Sequence, residues 1–189
     1  MATQYQQAQG AHMENLDRTV VAKMVKSFIE AAEQVLSVTG QTKVEARTKA
    51  ATIIEHSNIE GDAAGALSFL GDYSGQFILV FSKAAICEIT SNMLYAPQPY
   101  ISHRDPDVEG AIGEITNQVA GRARMSVNEK FGWKATNGIP SVIVGESIRW
   151  TIYGAGAIIV HVPFTTPNFH EMYLQVAVTS HPAIGEIHI

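Results

Sequence analysis

Between residues 15 and 38 apolar side chains recur at helical spacing: Leu16, Val20, Met24, Phe28 and Val35, with Val21, Val25 and Ile29 beside them. That period predicts an amphipathic helix, and Gly40 supplies a stop. Residues 53–60, 64–70 and 76–82, rich in Ile, Leu, Phe and Val, read as strands. The pairs Gly61-Asp62 and Gly71-Asp72 read as the turns between them. A short helix over 83–94 follows, ended by a loop carrying Pro97 and Pro99. A second long helix is expected to open at Asp105, Pro106 and Asp107, a capping carboxylate with proline in the first turn, and to run to about Phe131. Three more extended segments cover 141–146, 157–165 and 169–179. In the last, Met172, Leu174, Val176 and Val178 alternate with Glu171, Tyr173 and Gln175, the period of a half-buried strand.

Both halves thus run from a long helix into strands, and Glu30-x-x-Glu33-Gln34-Val35 echoes Glu114-x-x-Asn117-Gln118-Val119. Long helices lying on a mostly antiparallel sheet give an α+β fold, a two-layer α/β sandwich with an internal pseudo-repeat. No linker, low-complexity tract or charge block divides the chain, so residues 14–189 are read as a single domain. Residues 1–13 form a polar, glutamine-rich tail whose Gly10-Ala11-His12-Met13 resembles a tag remnant.

Composition narrows the function classes. The chain has 189 residues, 46% of them hydrophobic and 16% charged, enough for one sizeable core and too apolar for disorder. A formal net charge of −5, without a run of Lys and Arg, gives no reason to expect nucleic acid or anionic lipid as a partner. No apolar run approaches a membrane span. The tail lacks the features of a secretory signal, and the single Cys87 permits no internal disulfide and reads as a small buried hydrophobe. The expected location is the cytoplasm.

The second long helix is built unusually. At 100° per residue Val108, Ile112, Ile115, Val119 and Ala123 fall within about 80° of arc, the core stripe. Gly110, Glu114, Asn117 and Gly121 fall on the opposite side, with Gly113 nearby. A solvent-facing stripe is ordinarily filled by good helix formers, and each glycine costs about 1 kcal/mol relative to alanine. Either the small residues admit a neighbouring helix of the same chain, or they clear a path for another protein, with Glu114 and Asn117 the only side chains reaching out.

Glu114-x-x-Asn117, then twenty-two residues, then Pro140, resembles the active-site signature of the CheC/CheX/FliY family of chemotaxis phosphatases. The flanking words AIGEITNQVAG (111–121) and PSVIVG (140–145) resemble the CheX branch, as does the early SFIEA (27–31) leading to Val35-Leu36. The similarity runs from about residue 20 to 180. The family pattern often has Asp or Ser four residues before the glutamate; here that position is Gly110, with Asp107 and Glu109 leaving negative charge nearby.

The resemblance implies a CheC-like fold and a phosphatase acting on the aspartyl phosphate of a CheY-type receiver domain. It assigns Glu114 to an ion pair with a receiver lysine and Asn117 to a place beside the acyl phosphate. An amide donates and accepts hydrogen bonds at once, which suits it to hold a water in line with phosphorus. Gly110, Gly113 and Gly121 would be the docking face, and Pro140 the structural member of the motif. No cofactor is expected on this chain; Mg²⁺ is expected on the receiver. Relatives suggest a homodimer. The alternative is a non-catalytic chemotaxis or flagellar-switch interaction module of the same fold.

Other candidates carry less. Glu30 and Glu33 lack the asparagine and read as an exposed helix face. The seven histidines show no metal-ligand spacing, although His161 and His170 fall on or beside strands. Gly154-Ala155-Gly156 lacks the third glycine of a dinucleotide fingerprint and reads as a turn.

Overall fold

The computed structural model describes residues 17–54, 57–97, 99–100, 102–152 and 157–180. The polar tail and the Gly154–Gly156 segment lie outside them. Among the described residues three α-helices, α1 (Arg18–Val38), α2 (Lys83–Met93) and α3 (Pro106–Phe131), accompany eight strands. The strands are β1 (Glu45–Ala46), β2 (Thr52–Ile54), β3 (Ser57–Gly71), β4 (Tyr73–Phe81), β5 (Ala135–Asn137), β6 (Ser141–Ile152), β7 (Ile158–Thr165) and β8 (Glu171–Ser180). They form one sheet in the order β1-β7-β8-β4-β3-β5, with β2 also on β7 and β6 also on β3. Every pairing is antiparallel.

The helices begin and end for local reasons. Asp17 accepts from the Thr19 N–H at 2.7 Å to cap α1. Ser82 accepts from the Ala85 N–H to cap α2. Asp105 caps α3 by accepting from the Asp107 N–H, and Pro106 occupies its first turn. Gly132 closes α3 with φ 71°, a left-handed geometry that only glycine adopts freely.

One face of the sheet and the three helices enclose the core. Phe28 of α1 packs between Phe69 and Phe77 of β3 and β4, with ring centroids at 5.5 and 4.8 Å. Met172, Leu174, Val176 and Val178 of β8 are buried there, as their alternation requires. α1 lies against α3, joined at the far end by Lys130 to Glu30 at 2.5 Å and by Ser126 to Ser27 at 3.3 Å. Where α3 crosses β3 the strand carries Gly65, and a Cβ there would run into Thr116 and Ile112 of the helix. The glycine therefore sets how closely α3 approaches the sheet.

Two expectations are corrected. Gly71-Asp72 is the β3–β4 turn, but Gly61-Asp62 lies inside a single fifteen-residue strand. There β3 and β6 slip register between the pairs Gly61–Ile148 and Ala63–Val144, so that residues 145–147 oppose residue 62 alone. The Asp62 carboxylate accepts from the backbone N–H groups of Lys83 and Ser147, which accounts for the acidic residue at the bulge. Those bonds, the Lys83 one foremost, hold the Asp62 carboxyl below its ordinary pKa. The last strand begins at Glu171 rather than 169, because Phe169 takes φ 61° in the preceding hairpin turn.

Candidate functional site

The core stripe of α3 lies where its period placed it: Val108, Ile112, Ile115, Val119 and Ala123 are all 0% exposed. The opposite stripe is open. A Cβ built at Gly110 or Gly121 meets nothing within 4 Å, and one at Gly113 makes an ordinary 3.6 Å contact with Val142. Close packing against a neighbouring helix of this chain therefore does not explain Gly110 or Gly121. Glu114 and Asn117 are exposed between them, on one face and less than a turn apart. Among the described residues, the Asn117 amide has no hydrogen-bond partner, so its donors and its acceptor are all available.

Glu114 is held. Gln118 donates from Nε2 to Glu114 Oε1 at 2.6 Å, and its own Oε1 accepts from the Thr39 hydroxyl at 2.6 Å. Thr39 is the residue that ends α1, its N–H bonded to the Val35 carbonyl. The i,i+4 spacing of Glu114 and Gln118 is visible in the sequence; Thr39, seventy-nine residues from Gln118 along the chain, is not.

Pro140 immediately precedes β6, whose Val142 runs beside Gly113. Farther along α3, Arg124 and Asn128 line a shallow pocket with Ala135 of β5. The segment 138–140 joins β5 to β6, and Gly138 donates to the Ser68 carbonyl of β3 at 2.8 Å. Ile139 there is 89% exposed. At the amino end Tyr100 donates to the Asp107 carboxylate at 2.5 Å, which pushes the phenol up to about 12. Asp107 is thereby engaged within the chain, whereas Glu109 of the same turn has no partner among the described residues.

The remaining candidates have other duties. Glu30 pairs with Lys130 and Lys26, and Glu33 accepts from the Ala46 N–H at 3.1 Å. His161 sits opposite Gln175, whereas His170 lies beyond the Thr165–Glu171 pair and contacts Glu88 at 2.7 Å. The two are not brought together, and among the described residues no three His, Cys, Asp or Glu side chains converge as a metal site requires. Cys87 is buried, and burial pushes its thiol up in pKa. No described helix is long and apolar enough to cross a membrane.

Long helices packed on an antiparallel sheet make this a CheC-like fold. The chain has that fold: a CheC-like superfamily protein from Shewanella sp. PV-4 superposes with TM-score 0.73 at 20% identity, covering 82% of this chain and 97% of that one. The chemotaxis protein CheX from Desulfovibrio desulfuricans gives TM-score 0.71 at 23% identity, over 82% of this chain and 98% of its own. CheX in the CheX-CheY-BeF3-Mg²⁺ complex from Borrelia burgdorferi gives 0.63 at 18%, over 82% and 97%. No curated protein sequence matches the chain. The family described as "Chemotaxis phosphatase CheX" matches residues 63–165, more than half of the sequence. The chain belongs to the CheX family.

Proposed function

We propose that this protein dephosphorylates a CheY-type receiver domain, and that Glu114 and Asn117 carry the reaction. The observation behind this reading is the state of Asn117: an exposed amide with no hydrogen-bond partner among the described residues, in the middle of a long helix, on a face cleared by Gly110 and Gly121. Its membership of a phosphatase family and the CheY partner of the Borrelia relative support the same reading.

The chemistry follows from the side chains. An aspartyl phosphate is hydrolysed when water attacks phosphorus and the bond between phosphorus and the aspartyl carboxyl oxygen breaks; the carboxylate is regenerated, inorganic phosphate departs carrying the water oxygen, and the surplus proton passes to solvent. A neutral amide cannot deprotonate that water, but its carbonyl can accept from the water while its N–H₂ donates to a phosphoryl oxygen. Holding the nucleophile in line converts an improbable encounter into an oriented one. Glu114, four and a half ångströms of helix rise away at about 1.5 Å per residue, pairs with a receiver lysine and fixes the docking register. Mg²⁺ and the charges that stabilise the transition state belong to the receiver. The flat stripe lets that partner approach to van der Waals distance.

The test is the decay of aspartyl phosphate on a CheY-type receiver from the same genome, with wild type and Asn117→Ala compared. Acceleration by wild type, lost in the variant, is the expected result. Acceleration that survives the substitution removes Asn117 from the mechanism. Binding without acceleration makes the protein an interaction module instead.

A further inference from the structure

We infer that Gln118 and Thr39 are positioning residues for receiver recognition, a relay that anchors the Glu114 carboxylate to the end of α1. This rests on the phosphatase reading above. The relay is read from two contacts, Thr39 Oγ1 to Gln118 Oε1 and Gln118 Nε2 to Glu114 Oε1, both 2.6 Å.

Its polarity is fixed by chemistry. A carboxylate only accepts, so the Gln118 amide must turn its N–H₂ toward Glu114 and its carbonyl toward Thr39. The flipped amide would set a carbonyl oxygen against a carboxylate oxygen. The Glu114 carboxylate therefore selects the amide orientation, and the Thr39 hydroxyl, which can donate or accept, donates to the carbonyl that this leaves facing it.

Three properties make this a positioning device rather than a competing partner. The donor is neutral, so Glu114 keeps its full charge for an incoming cation. Only Oε1 is engaged, leaving Oε2 to a lysine. The far end of the relay is Thr39, which terminates a helix whose Val35 and Leu36 are at most 2% exposed. An exposed glutamate otherwise samples many rotamers, and ordering it on binding reduces affinity. Here the docking carboxylate is ordered before the partner arrives.

Removing the relay should therefore weaken docking while leaving chemistry intact. Gln118→Leu and Thr39→Val are each expected to raise the KM for the phosphorylated receiver about fivefold, equivalent to about 1 kcal/mol, with kcat unchanged. Thr39→Ser, which keeps the hydroxyl, should retain the wild-type KM. In a Glu114→Gln background Gln118→Leu should add no further loss, since the group it orients has already lost its charge.

A second readout needs no receiver. In the free protein the Gln118 side-chain amide signals should move with Glu114 as the carboxyl is protonated, and Thr39→Val should weaken that response. Signals indifferent to Glu114 overturn the relay whatever the activities are. Coupled signals with an unaltered KM in Gln118→Leu overturn its role in recognition. A wild-type protein that dephosphorylates no receiver instead refutes the reading on which the role rests, and is seen in the control before any variant is tested.

Discussion

The glycines of α3 make the two demands on this helix separable. Gly110 and Gly121 are helical, and an added Cβ at either meets nothing within 4 Å. Replacing each with alanine therefore introduces no clash and removes the backbone entropy that glycine loses on folding, about 1 kcal/mol per site. Eleven residues separate them, about 16 Å along the helix, far enough for their effects to add. The Gly110→Ala, Gly121→Ala double variant should be about 2 kcal/mol more stable than wild type. In a domain of this size that raises the melting temperature by about 4–8 °C and moves a urea midpoint by about 1 M at unchanged slope.

Gly121→Leu makes the contrast sharper. Leucine is nearly as good a helix former as alanine, so this variant should also unfold at higher urea than wild type. Yet its side chain would stand on the proposed docking face, one turn beyond Asn117, and should abolish acceleration of receiver dephosphorylation. Equilibrium urea unfolding followed by circular dichroism, together with the phosphate-decay assay, measures both. Stabilised and inactive is the expected pair. Alanine variants no more stable than wild type would refute the claim that this face is free in the chain, and a fully active Gly121→Leu would refute the claim that a partner uses it.

Three further outcomes are expected. Gly65→Ala forces Cβ into Thr116 and Ile112; it should destabilise by about 1–3 kcal/mol, and Thr116→Ala in the same chain should recover part of the loss in a thermal melt. His161, half-buried against Tyr173 at a ring separation of 4.6 Å, has its pKa lowered from 6.5 by burial. Its contribution to stability is therefore complete above pH 6.5 and is lost as pH falls toward the lower folded-state value; His161→Phe should flatten the dependence of urea midpoint on pH in that window. Ile139→Asp should weaken receiver binding in a titration without moving the melting temperature, since the side chain is 89% exposed and lies three residues before Val142, the β6 residue next to Gly113 of the proposed docking face.

The legible parts of this protein were those set by local chemistry. The start of α3 was written in Asp105-Pro106, its end in the change after Phe131, and its two faces in a 3.6-residue period that burial reproduces residue by residue. What misled was a local signal put to a nonlocal use. Gly61-Asp62 has turn chemistry, but β4 and β6 hold the chain extended on either side, and the aspartate bonds the start of α2 and the far limb of the bulge instead. The strands β1 and β5, two and three residues long, are edge pairings too short to carry a period. Gln175 looked like the solvent-facing half of an alternating strand, yet it is 2% exposed, because His161 lies opposite it on β7 and Tyr173 lies two residues along on the same face. The contact of Thr39 with Gln118 was invisible for the same reason: the partner is on another helix.

The glycine stripe was legible only as an anomaly, and the structure gives the condition under which a fold tolerates one. Helix propensity contributes little when a helix is held by tertiary packing. α3 buries an unbroken apolar stripe and is capped at both ends, so two open glycines weaken it without unravelling it. Asn117 stands eleven residues from Pro106 and fourteen from Phe131, well clear of the turns that fray. The role proposed for that amide, holding one water in line, requires such rigidity, since an error of about 1 Å in placement is enough to lose most of the orientation effect. A loop would present the same residues with less precision, and an alanine-rich helix would present them with the same precision but less clearance. A strongly packed helix with a stripped outer face supplies both, which is why the breach of local preference and the candidate site coincide on one stripe of α3.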